Sequence, residues 1–269
     1  MVRRLAGIAM AAVLGVGAAF AASGVAASGS THPTTTFAYS GDNGPGFWGQ
    51  LDPAWESCAG RGGRQSPIDI THVQIDPKLR PLNLALKPTP IALVNNGHTI
   101  EQEYEAGSTL TLGSATYHLQ QFHFHALSEH MIGNGRGVME MHAVFKDDAT
   151  NRIAVVAVLY KIGRPNRFLG RLSNAGLPLK DGQTVHSPVE VNLAGGITDT
   201  SAYYTYAGSL TTPPCTENVT WFVLKRPAEM SAAQFKAFDK ILGNDFGPLQ
   251  DRNGRVVRAT ARGGKGLAH

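Results

Sequence analysis

Two stretches of the chain concentrate groups that could bind a metal: "QFHFHALSEH" (Gln121–His130) and "VMEMHAVF" (Val138–Phe145). Successive side chains of a β-strand point to opposite faces. Gln121, His123 and His125 therefore share one face, and Phe122 and Phe124 the other. In the second stretch Glu140, His142 and Val144 share a face, opposite Met141 and Ala143. Two histidines side by side are costly to bury unless something takes their lone pairs. If the two stretches pair antiparallel across the "GNGRG"-containing loop 126–137, His142 joins His123 and His125 on one patch. Three imidazoles with a fourth position open to solvent form the pattern of a catalytic zinc. Imidazole also suits Cu, Ni and Fe, so the donor set alone does not name the metal. Gln121 and Glu140 each stand two residues before a histidine on its own face, placed to accept its second N–H. Three satisfied core histidines would leave these two acceptors unexplained.

The elements that must position this patch read as short strands separated by turn residues. Strand character falls on Ile68–Ile70, Ile91–Val94, Thr99–Tyr104, Thr109–Leu112, Ala115–His125, Val138–Phe145, Ile153–Ile162, Val189–Val191, Tyr203–Gly208 and Val219–Leu224. The run "IAVVAVLYKIG" is apolar on both faces, as in a strand central to a large sheet. Helices are expected at Asn166–Ala175 and at Ser231–Leu242, with Ser231 as N-cap. The Gly-, Pro- and aromatic-rich segment 31–64 reads as irregular with one or two helical turns. With no repeat and no linker, the pattern predicts a mainly β fold with peripheral helices (α+β) in a single domain.

The termini bear on location. Arg3 and Arg4 precede an apolar stretch from Leu5 to Phe20 and then "AASGVAASGS". This reads as an export signal over 1–28, cleaved somewhere in 21–28. The apolar run is short and diluted by Gly and Ala for a bilayer anchor, so no membrane span is expected after cleavage. The chain has 24 Lys and Arg against 20 Asp and Glu; removing Arg3 and Arg4 leaves 22 against 20. Arg252, Arg255, Arg258, Arg262 and Lys265 lie among glycines and read as a solvated stretch, ending in a flexible basic tail over 262–269. They lack the aromatic interleaving of a nucleic-acid surface, so no nucleic-acid partner is expected. Cys58 and Cys215 are the two cysteines; in an exported chain a lone pair points to one disulfide, with metal-ligating thiolates as the alternative.

In order, "GRQSPIDI", "NNGH", "QFHFHALSEH", "MEMHAVF", "GSLTTPPC" and "VTWFVLKRP" resemble the motifs of the α-class carbonic anhydrases, from about Phe37 to about Gln250. That family is the established three-histidine zinc case. The resemblance implies one domain over 37–261 around a largely antiparallel sheet of about ten strands. It implies a zinc lyase that reversibly hydrates carbon dioxide to bicarbonate and a proton by zinc-hydroxide attack. By position, His123, His125 and His142 match the Zn2+ ligands. Thr211 matches a threonine whose hydroxyl proton is accepted by Glu129, and His98 matches the proton shuttle. Val144, Val155, Leu210, Val219 and Trp221 match the apolar wall for carbon dioxide. Tyr39 and Asn95 match polar residues of the water chain. Cys58 and Cys215 stand where exported members form a disulfide. Implied partners are carbon dioxide and bicarbonate, with sulfonamides and small anions as inhibitors. The chain is expected to act in the periplasm or outside the cell, as monomer or homodimer.

The chemistry agrees. Zinc in such sites brings bound water to a pKa of about 7, the known carbonic anhydrase value, whereas bulk water supplies almost no hydroxide. An ionised Glu129 can only accept, so it would orient the Thr211 oxygen toward that hydroxide. The chain departs from the family at Asp245-Phe246-Gly247-Pro248, where Asn-Phe-Arg-Pro is usual, and at Phe37, where tryptophan is usual. The acceptor for His125 near Asp245 is expected to be a backbone carbonyl, which any residue supplies. Two other readings are a cupin-type metal enzyme, with Glu129 of His-x-His-x3-Glu as a ligand, and a non-catalytic binding module of the same fold. His32, His72, His118, His130, His186 and His269 are read as ordinary histidines.

Overall fold

The structure, a computed structural model, describes residues 35–61 and 63–263. The export signal and all but the first two residues of the expected tail lie outside them. The N-terminal segment is irregular, as expected, with 3-10 turns at Gly41–Asn43 and Pro53–Ala59 and a helical turn at Trp48–Leu51. Trp48 anchors it from a buried position: its indole N–H donates to the carbonyls of Ala38 and Asn43, both at 2.9 Å. Asp52 caps the second 3-10 turn by accepting from the Ala54 N–H.

Among the described residues a mixed sheet of thirteen strands dominates. Ten form a continuous path: Thr184–Val191, Thr89–Asn95, Ile100–Glu103, Ala115–His125, Met139–Lys146, Ile153–Ile162, Glu217–Leu224, Tyr203–Ser209, Arg258–Ala259 and Gln74–Ile75. Neighbours run antiparallel except where Ile153–Ile162 meets Glu217–Leu224 and where Arg258–Ala259 meets Gln74–Ile75. Asn83–Ala85, Thr109–Leu112 and Ala228–Met230 join off this path. The sheet is thus larger than the ten strands expected. The extra pieces are short strands such as Asn83–Ala85 and Ala228–Met230, too brief to show any alternation in sequence.

Each face of the sheet buries its own apolar set. On one face Phe122, Phe124, Met141, Phe145, Val156 and Phe222 pack under the helices Arg167–Ala175 and Ala232–Leu242. Asn166 caps the first helix by accepting from the N–H groups of Phe168 and Leu169. Ser231 and Gln234 form a capping box on the second. Phe124 and Phe238 meet edge to face at 5.1 Å. Truncating such a fully buried phenylalanine costs about 3–5 kcal/mol. On the other face Val155, Ala157, Val219, Trp221 and Tyr206 pack with Ile68, Ile70 and Val257. The three histidines project from this second face.

The reading of the C-terminal arginines as solvated is corrected for Arg252 and Arg255, which are half-buried, whereas Arg258 and Arg262 are exposed. Arg252 donates to the Thr71 carbonyl at 2.7 Å, and Arg255 donates to Ala207 and Asp251 carbonyls while lying over the Tyr206 ring. Arg258 belongs to a sheet strand. The buried Lys225 ammonium donates to the carbonyls of Thr260 and Arg262 at 2.7 and 2.9 Å, which ties down even the start of the expected tail. The composition alone did not reveal this because the partners are backbone carbonyls distant in sequence.

Candidate metal centre

Register brings the histidines together. His142 pairs directly with His123, and Glu140 with His125, between antiparallel neighbouring strands. One nitrogen from each of His123, His125 and His142 lies within 4.8 Å of the other two. The remaining nitrogen of each ring is held. His123 Nδ1 is 2.8 Å from Gln121 Oε1, His142 Nε2 is 2.9 Å from Glu140 Oε1, and His125 Nδ1 is 2.8 Å from the Asp245 carbonyl. Those contacts leave His123 Nε2, His125 Nε2 and His142 Nδ1 facing one another. His125 Nε2 is buried and has no hydrogen-bond partner. A metal cation supplies what such orphaned nitrogens lack, so the donor set fits one.

Electrostatics favour neutral rings at two positions. Burial, with repulsion from His125 and His142, holds His123 well below the usual histidine range. Burial also lowers His142. For His125, burial is outweighed by the nearby carboxylates of Glu129 and Asp245, which raise it. Burial pushes Asp245 up to about 7, with Glu129 adding to the rise, while His125 and the Ala126 N–H oppose it. Burial alone would raise Glu140, but His130 and His142 hold it well below the usual carboxylate range.

A family model of the eukaryotic-type carbonic anhydrases matches residues 43–261. The chain belongs to the carbonic anhydrase family. It is 39% identical over 232 residues to a carbonic anhydrase of Klebsiella pneumoniae, covering 84% of this chain and 93% of that protein. The solved Photobacterium profundum α-carbonic anhydrase is 39% identical, with a TM-score of 0.77 over 83% of this chain and 100% of the other. The Thermovibrio ammonificans α-carbonic anhydrase, solved with the inhibitor sulfanilamide, is 35% identical, with a TM-score of 0.79 over 83% and 99%. This carbonic anhydrase is accordingly an enzyme of carbon dioxide hydration, built on the family's fold.

Around the carbonic anhydrase histidines the other expected residues are distributed unevenly. Val144, Val155, Leu210, Val219 and Trp221 all belong to the apolar set on the histidine face, Val144 and Leu210 being partly exposed. Cys58 and Cys215 are bonded, with Cα atoms 5.1 Å apart, so ligating thiolates are ruled out for both. The loop 210–216 beyond the strand is further held by Gln65, which donates to the Cys215 carbonyl, and by Ser66, whose N–H donates to Ser209 Oγ. That is what "RQS" of the first motif does.

Three local arrangements differ from the simplest picture of the expected residues. The Thr211 hydroxyl makes no hydrogen bond to Glu129: Oε1 accepts from the Gly247 N–H at 2.9 Å, and buried Oε2 has no partner. Oε2 instead points between His125 Nε2 and His142 Nδ1, at 3.6 and 3.9 Å. Asn95 is buried, and its side chain is spent on the turn, donating to Pro178 and accepting from Gly97, rather than offered to a water chain. The third concerns His130, read as ordinary. It is fully buried, with Nδ1 2.7 Å from Glu140 Oε1 and Nε2 2.6 Å from the Tyr206 hydroxyl, which in turn meets Ser66 Oγ at 2.9 Å. One clue was available. A buried carboxylate has two oxygens to satisfy, and His142 alone gives Glu140 one donor.

Tyr39 places its hydroxyl in a buried position without a partner, and burial, then Glu129 and Asp245, push its ionisation far upward. It remains a neutral donor beside the carboxylates. His98 is half-buried and lies flat on Phe37. Among the described residues no helix is long and apolar enough to cross a membrane.

Proposed function

We propose that this carbonic anhydrase interconverts carbon dioxide and bicarbonate at a zinc ion held by His123, His125 and His142. The observation that carries the reading is the convergence of three imidazole nitrogens whose opposite ring nitrogens are all committed to acceptors. Zinc bound there supplies a Lewis acid that brings coordinated water to a pKa of about 7, the known value for this enzyme class. Gln121, Glu140 and the Asp245 carbonyl fix ring orientation and tautomer. Val144, Val155, Leu210, Val219 and Trp221 hold a small apolar substrate that needs no polar clamp. Glu129 keeps Oε2 without a hydrogen-bond partner and so free to accept a proton, and Thr211, matched to it by the family motif, supplies the hydroxyl. His98 carries the proton outward to solvent, with Tyr39 a neutral donor on the route.

The same zinc position explains why a sulfonamide anion or another small anion would inhibit. The disulfide supports export, in the periplasm or beyond, since such bonds persist in oxidising compartments. A cupin-type arrangement is disfavoured because the carbonic anhydrase family model matches residues 43–261. Metal analysis together with carbon dioxide hydration on the purified mature protein tests the reading. One zinc per chain with rapid hydration is expected; iron, or stoichiometric zinc without hydration, overturns it.

A further inference from the structure

The row of side chains abreast of the histidines contains a carboxylate. Val94 pairs with Glu101, Glu101 with His123, and His123 with His142, so these four lie side by side across four neighbouring strands. Directly paired residues in an antiparallel sheet share a face and have Cβ atoms about 4.5–5.5 Å apart. Burial confirms the face: Ile100 and Gln102 are buried on the other side, Gln102 pairing with Phe122 of the opposite core, whereas Glu101 is half-buried and Glu103 exposed. The next row repeats the arrangement, with Glu103 beside Gln121, then Val144, Val155 and Trp221. The histidine face is thus acidic toward Ile100–Glu103 and apolar toward Ile153–Ile162.

Glu101 differs from the other acids near the site. Glu129 and Glu140 are fully buried and face histidines. The lysine and arginine ion pairs among the described residues go to Glu217, Glu229 and Asp76, leaving Glu101 and Glu103 without one. An unpaired charge, half-buried and abreast of a ligand histidine, projects its field over the histidine face.

We infer that Glu101 sets anion discrimination at the active site, repelling bicarbonate and small monovalent anions while an uncharged gas feels no such force. The inference rests on the carbon dioxide reading above. It makes Glu101 a specificity residue that weakens product and inhibitor anions. A unit charge within ~8 Å of a bound anion, at an effective dielectric between protein surface and water, corresponds to about a three- to tenfold change in affinity.

The test compares zinc-loaded wild type with Glu101→Gln and Glu101→Lys, taking azide and thiocyanate as probes of hydration and bicarbonate as substrate in dehydration. At low ionic strength the inhibition constants of both anions, and the KM for bicarbonate, are expected to fall about three- to tenfold in E101Q and further in E101K. The ratios should shrink as ionic strength rises, because salt screens a charge at a partly exposed site. That salt dependence separates a charge effect from a packing change in the variants. Constants that stay the same across Glu, Gln and Lys in an active enzyme, or that rise on neutralisation, overturn this inference alone. A wild type that neither hydrates carbon dioxide nor responds to azide overturns the zinc reading and this inference with it.

Discussion

Phe37 and His98 are stacked, their ring centroids 3.8 Å apart and their planes 11° from parallel. A segment before the first strand thereby sets the position of a side chain in the turn after Thr89–Asn95. Burial lowers the His98 pKa from its ordinary value, with Asp181 opposing. The sign is that of desolvation: covering the ring penalises the imidazolium. Replacing Phe37 by Ala should therefore raise the His98 pKa toward 6.5, read by NMR titration of the ring. A His98 pKa that stays put or falls would show that Phe37 does not provide the shielding.

As a proton carrier, His98 should govern turnover but not carbon dioxide capture. In His98→Ala, kcat at low buffer should fall while kcat/KM stays close to wild type, and imidazole buffer should restore much of kcat. Parallel loss of both parameters with no buffer rescue would make His98 a turn residue and send the proton by another path.

Thr211→Ala removes the hydroxyl that the proposed mechanism pairs with Glu129 and that is not bonded to it in the structure. Zinc content should remain stoichiometric, and hydration should drop on the order of 100-fold, the usual cost of one positioned catalytic hydrogen bond. Full activity in this variant would remove Thr211 from the mechanism.

Glu140 joins two histidines, accepting from His142 at 2.9 Å and from His130 at 2.7 Å. Substituting Gln for Glu140 should weaken zinc binding about 10–100-fold, as measured by competition with a chelator. His130→Ala should act differently, lowering stability by about 3–5 kcal/mol because it leaves a buried carboxylate short of a partner. Chelation itself should abolish hydration, and added zinc should restore it; activity persisting in fully chelated protein would contradict the metal assignment.

The Cys58–Cys215 bond closes a loop with a sequence separation of 157, which in the chain-entropy model stabilises by up to about 5 kcal/mol, with measured values often smaller. Reduction, or Cys58→Ser with Cys215→Ser, should lower the thermal midpoint. Unchanged melting of the reduced protein would show that the bond contributes nothing to stability.

The sequence by itself determined the features that depend on local periodicity. Period-two alternation put His123 with His125 and Glu140 with His142, and the Ser231 cap marked where the second helix begins. These are short-range properties, so a single chain read in order displays them. Motif order added the family, and with it the expected zinc chemistry.

Only the tertiary structure decided the contacts between distant segments. The Asp245 carbonyl reaches His125 across 120 positions, and the Tyr206 hydroxyl reaches His130 across 76. The alignment of Glu101 with His123 is likewise a matter of register between strands, which spacing along the chain does not specify. Arg252 and Arg255 were misread for the same reason: their partners are carbonyls, present at every residue and therefore invisible in composition. Side-chain types announce what chemistry is available, but the pairing of donors with acceptors far along the chain is settled by packing.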